Sequence, residues 1–186
     1  MNTRLRSLLV PIALLSALPL HAQEESSAAD WFSGNVAITS DYNLRGISQT
    51  RVKPALQGGL DMAHPSGLYL GTWGSNVNFG EAVLPRAQVE LDAYGGFATS
   101  LFDVATIDIG AIYYAYPGAG EDREYDYVEL TLGLSRSLGP VAVGLSAKYS
   151  SEFFAATGEA LYASASLDVP MAFLTVSGAV GGQTIE

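Results

Sequence analysis

Apolar and polar residues alternate with a period of two along nearly the whole chain after residue 30, the signature of strands with one dry and one wet face. The alternation predicts strands at 31–40, 55–63, 68–77, 88–97, 104–115, 126–136, 141–150, 161–169 and 173–182. No segment carries an apolar stripe at helical spacing, so almost no helix is expected. Sorting the strands by parity places Val36, Leu60, Leu91, Ile109, Leu132 and Leu145 on one face, with no charge between strand ends. The opposite face carries Asp61, Glu90, Asp92, Asp108, Glu129, Lys148 and Asp168 among Ser, Thr and Gly. Strand 68–77 fits either face.

The connections alternate in length. Short turns fall at His64-Pro65-Ser66-Gly67, at 99–103, at Ser137-Leu138-Gly139-Pro140 and at Val169-Pro170-Met171. Longer polar loops fall at 41–54, 78–87, 116–125 and 151–160. Short turns at one end and long loops at the other, joined by strands of about ten residues, fit an outer-membrane barrel better than a soluble sandwich. In hydrocarbon every backbone group must be paired, so such strands close into a ring. The fold class read from the pattern is all-β, an antiparallel transmembrane β-barrel. The chain ends on Gln183-Thr184-Ile185-Glu186 rather than on an aromatic-ended strand. Single-chain bacterial barrels carry even strand counts, so the expected barrel has about ten to twelve strands, of which about nine lie here.

The N-terminus reads as an address. Arg4 and Arg6 precede the apolar run Leu8 to Leu20, and Leu20-His21-Ala22 supplies a small residue before Gln23. That order is a secretory signal peptide, here 1–22, and its apolar run is too short for a spanning helix. Residues 23–30 read as a flexible leader and 31–186 as the barrel domain. The expected location is the cell outer membrane. Composition narrows the picture further. The chain of 186 residues is 48% hydrophobic, which excludes intrinsic disorder, and its lack of cysteine excludes a disulfide scaffold and thiol chemistry. Its net charge of −10 excludes a basic nucleic-acid interface.

Five segments carry a family resemblance. They are Tyr42-Asn43-Leu44-Arg45-Gly46-Ile47-Ser48-Gln49-Thr50, Gln57-Gly58-Gly59-Leu60-Asp61, and Gly67-Leu68-Tyr69-Leu70-Gly71-Thr72-Trp73-Gly74-Ser75-Asn76-Val77. Glu90-Leu91-Asp92-Ala93-Tyr94-Gly95-Gly96 and Tyr113-Tyr114-Ala115-Tyr116-Pro117-Gly118 complete the set. In this order and spacing they resemble the TorF-type porins, also described as the Gcw_chp family of Gram-negative bacteria. The resemblance implies an outer-membrane barrel of the porin type, and it carries over neither a substrate nor binding residues.

Candidate chemistry is sparse. His64 sits in a Pro-Gly turn, where a solvated loop residue is the simpler reading than a hydrolase base. Glu90 and Asp92, two apart on one face, can serve acid–base work or a divalent cation, or simply wet a lumen wall. Gly118-Ala119-Gly120 lacks the context of a phosphate loop. Arg45 is either a constriction-zone charge or the salt-bridge partner of a lumen acid such as Asp41 or Asp61. The expected function is a channel for passive passage of small hydrophilic solutes, lined by Arg45, Asp61, Glu90, Asp92, Asp108, Glu129 and Lys148. The acidic excess of this lining predicts a preference for cations. The expected partners are outer-membrane lipid and small hydrophilic solutes, with no catalytic residue, metal or cofactor. The alternatives are a non-conducting barrel with a structural or adhesive role, a secreted β-domain and an outer-membrane enzyme.

Overall fold

The computed structural model describes residues 31–80, 86–102 and 104–186. The expected signal peptide and leader, and the middle of the 78–87 loop, lie outside the described residues. The strands are β1 (Phe32–Thr39), β2 (Asn43–Leu44), β3 (Ile47–Ser48), β4 (Ala55–Ala63), β5 (Leu68–Asn76) and β6 (Val89–Leu101). They continue with β7 (Ala105–Ala115), β8 (Tyr127–Leu138), β9 (Val141–Ser150), β10 (Ala160–Pro170) and β11 (Thr175–Ile185). Helical structure among the described residues is limited to short 3-10 stretches, at Trp31, Glu121–Arg123 and Phe154–Ala156.

Nine strands form one antiparallel meander in the order β1-β4-β5-β6-β7-β8-β9-β10-β11. Each corresponds to one strand predicted from the alternation. The 41–54 loop differs from expectation, because it folds into the separate β2–β3 hairpin. Its turn residues, Arg45 at φ 50° and Gly46 at φ 82°, both lie in the left-handed region that a two-residue primed turn demands. Strands of two residues are too short to leave a period-two signal.

These nine strands do not close into the expected ring. The register pairs β1 only with β4 and β11 only with β10, so both are sheet edges with one unpaired side. A sheet becomes a barrel only when strand number and shear bring its last strand against its first. The sheet is nonetheless strongly curled, since Arg45, just beyond β1, touches both β8 and β11.

Register settles the ambiguous strand. Leu68 opposite Phe97 and Leu70 opposite Gly95 put both leucines on the apolar face, leaving Tyr69, Gly71, Trp73 and Ser75 on the polar one. The resulting molecule is inverted relative to a water-soluble domain. On the convex face Val36 is 80% exposed and Leu60 69%, whereas Glu90 and Glu129 on the concave face are 0% exposed. The largest fully buried side chains are Glu90, Glu129, Thr50 and Ser150, all polar.

Glycines on the concave face serve as beds for tyrosine rings. Asp61, Gly71 and Tyr94 are opposite one another on β4, β5 and β6, and Tyr94 lies across Gly71 to donate its hydroxyl hydrogen bond to Asp61. Tyr69 lies over Gly96 and Gly110 and donates to Asp108 at 2.8 Å. A Cβ at Gly71 would stand 2.6 Å from the Tyr94 ring. Gly71→Ala is therefore expected to destabilise the protein by about 1–3 kcal/mol, by overpacking that ring. Gly178, whose added Cβ meets nothing within 4 Å, supplies the control. Thermal unfolding of Gly178→Ala should match or slightly exceed the parent.

Candidate functional site in the sheet interior

The interior at the long-loop end is organised by the 41–54 loop. Asp41 ties its base together, accepting hydrogen bonds from Ser48 Oγ at 2.6 Å, Thr50 Oγ1 at 2.8 Å and Asn43 Nδ2 at 2.8 Å. The Ser48 bond, helped by those from Thr50 and Asn43 and opposed by desolvation, holds the Asp41 carboxyl below its usual range. The backbone closes the same base, with Gln49 N–H donating to Tyr42 O at 2.7 Å. So anchored, the β2–β3 hairpin points its tip across the concave face.

Arg45 at that tip is the centre of the site. Its Nη2 donates to both Glu129 oxygens, at 2.7 and 2.6 Å, and its Nη1 to Gln183 Oε1 at 2.9 Å. The guanidinium lies 4.4 Å from the Tyr162 ring centroid and 5.8 Å from that of Phe153, a flanking that suits its planar charge. Glu129 also accepts from Tyr114 Oη at 3.1 Å. The ion pair is nearly dry, with side-chain exposures of 8% for Arg45 and 1% for Glu129.

Aromatic rings close the interior above this pair. Tyr114 stacks on Tyr127 at 4.4 Å, and Tyr125 on Phe154 at 4.4 Å. Phe79 meets Tyr116, Tyr125 and Phe154 edge-on at 5.2–5.6 Å, so three of the long loops contribute to one cap. Offset and edge-to-face contacts of this kind add to the stability gained from area burial alone.

The structure places every residue predicted to line a pore on the concave side, but not as a ring of bare charges. Asp61 and Asp108 accept from tyrosines, Glu129 holds Arg45, and Glu90 Oε1 accepts from Tyr42 Oη at 2.7 Å. Lys148 lies within Coulombic reach of both Asp92 and Glu129. Arg45 is thus an ion-pair partner, and its partner is Glu129 rather than Asp41 or Asp61. Arg51 and Lys53 from the same loop stay exposed. His64 keeps to its turn, with Nδ1 2.7 Å from Ser66 Oγ and its ring edge-on to Trp31 at 4.6 Å. Glu90 and Asp92 bring no third ligand with them: no group of three His, Cys, Asp or Glu side chains placed to hold a metal occurs among the described residues.

The sequence reading missed the tyrosines of the site. It gave Tyr42, Tyr114, Tyr116 and Tyr127 no part in the site, yet all four are buried inside. The signal that separates them is parity. Tyr113 shares its face with Ile109, so the adjacent Tyr114 must face Asp92 and Glu129.

A family model described as a bacterial protein of unknown function (Gcw_chp) matches residues 22–186. The chain belongs to the Gcw_chp family. The match spans the whole nine-stranded sheet, the β2–β3 hairpin and every residue of the interior site, so the Arg45–Glu129 pair lies within the Gcw_chp domain itself. No curated protein and no solved structure matches the chain.

Proposed function

We propose that this Gcw_chp protein is an outer-membrane β-barrel of the porin type, exported by its first 22 residues, which allows small hydrophilic solutes to pass. The observation that carries the reading is the inverted burial: exposed leucines cover the convex face while carboxylates are fully buried on the concave one. An apolar surface of that extent is stable only against an apolar solvent, and a soluble monomer rarely exposes such a patch. The five segments that resemble TorF-type porins agree with it. In hydrocarbon the free edges of β1 and β11 need partners, so the working form in this reading is a closed ring. The interior holds more acids than the bases Arg45 and Lys148 can balance, which favours cations over anions.

A second reading is favoured by one observation. The Arg45 hairpin and the aromatic cap together fill the interior at the long-loop end. That arrangement suits a barrel without a standing pore, with a structural or adhesive role.

Planar-bilayer recording separates the two. The channel reading expects discrete conductance steps, a cation-biased reversal potential in a salt gradient, and larger steps in Arg45→Ala. Silence from both proteins, although each fractionates with the outer membrane and migrates in a heat-modifiable manner, would assign the non-conducting role.

A further inference from the structure

The register sets four inward positions in one row: Trp73 on β5, Asp92 on β6, Tyr114 on β7 and Tyr127 on β8. Glu90 stands one inward position nearer the long loops on β6. Three polar atoms in this small region, Glu90 Oε2, Asp92 Oδ1 and Tyr127 Oη, are buried with no well-formed hydrogen bond, and besides Tyr42 only the Tyr116 hydroxyl stands close to the Glu90 carboxyl. Glu90 is 0% exposed and Tyr127 4%. Buried polar groups are nearly always paired, so three orphans together call for an occupant. Charge gives the same answer. Glu90, Asp92 and Glu129 share this interior with Arg45 and Lys148, and Arg45 is taken up by Glu129, which leaves one more carboxyl than there are bases to pair with it. An uncompensated charge in such a place is costly.

We infer that Glu90, Asp92 and Tyr127 form a binding site for a compact organic monocation of the primary-ammonium type. An ammonium group supplies the positive charge beside which the unmatched carboxyl can ionise, and offers N–H donors to two separate carboxylate oxygens, with the tyrosine oxygen as a third acceptor. A divalent metal fits less well, because the carboxylates do not gather into a three-ligand cluster. The occupant reaches the site from the short-turn end, where the concave face around Asp61, Ser146 and Ser164 is only half-buried. The stacked Tyr114–Tyr127 pair and the cap bar the other side. The site rests on the polar interior alone and does not require that the protein conduct.

The test uses the chain refolded in lipid vesicles, titrated with methylammonium chloride and, separately, with tetramethylammonium chloride at the same concentrations. The second salt has the same charge and no N–H donor. Thermal unfolding is followed by tryptophan fluorescence. Methylammonium should raise Tm along a saturating curve, as a ligand of the folded state must, and tetramethylammonium should not. Glu90→Gln with Asp92→Asn should abolish the rise. Tyr127→Phe, which removes a single hydroxyl and leaves the ring stack, should weaken methylammonium binding by about tenfold. Equal responses to the two salts would overturn the site. So would a Tyr127→Phe protein that binds as tightly as the parent, and this holds even if the carboxylate variant fails to fold. Bilayer silence bears on the channel alone, so the failure of either idea is visible without the other.

Discussion

Glu129→Ala is expected to destabilise the protein by about 3–5 kcal/mol, the range for removing one partner of a buried ion pair. The magnitude follows from what is left behind. Arg45 is 8% exposed, takes both of its hydrogen bonds to carboxylate from Glu129, and has only Gln183 and two ring faces besides. The charge would remain inside without the carboxylate that holds it. Replacing both partners by apolar groups of similar volume, Arg45→Met with Glu129→Leu, should recover most of the loss, since a buried pair contributes little over a well-packed apolar substitute. Urea unfolding of the refolded protein checks the whole cycle. A single-variant loss below about 1 kcal/mol is the signature of an exposed pair and would show that water reaches the hairpin tip.

The second large effect belongs to the other face. Leu132 is 49% exposed on the convex side of β8, and its cross-strand neighbours are Ile109 and Ala147. In a bilayer Leu132→Arg is expected to cost about 2–4 kcal/mol at mid-depth. Thr131, the next residue, faces the interior between Gly110 and Lys148, so Thr131→Arg should be milder. Unfolding in lipid measures both. Equal losses would mean that the convex face does not meet hydrocarbon.

How far the sequence carried differs between the two faces. Every long strand was legible, because an apolar surface pressed against one medium forces strict alternation over eight or more residues. The borders at 55–63 and 141–150 agree with β4 and β9 to the residue. The acids of the interior were legible for the same reason, as interruptions of apolar parity. Their partners were not. The hydroxyl of Tyr94 meets Asp61 only because Gly71 leaves room on the strand between them, and Tyr69 meets Asp108 only over Gly96 and Gly110. Such pairs depend on register, which alternation does not fix beyond the choice of face. The β2–β3 hairpin was hidden because an arginine at φ 50° occupies a place where asparagine or glycine is the usual marker.

The hydrogen bond from Arg45 to Gln183 joins residues 138 positions apart in the chain. Neighbouring strands of a meander can zip together one hairpin at a time, with short loops to close at each step. The Arg45 contact belongs to a different class, since Gln183 is in place only after β11 has paired with β10. Loop-closure entropy over such a separation is not repaid until then. The hairpin tip is therefore expected to dock only after β11 has paired, and its burial reports that the nine strands behind it are in place.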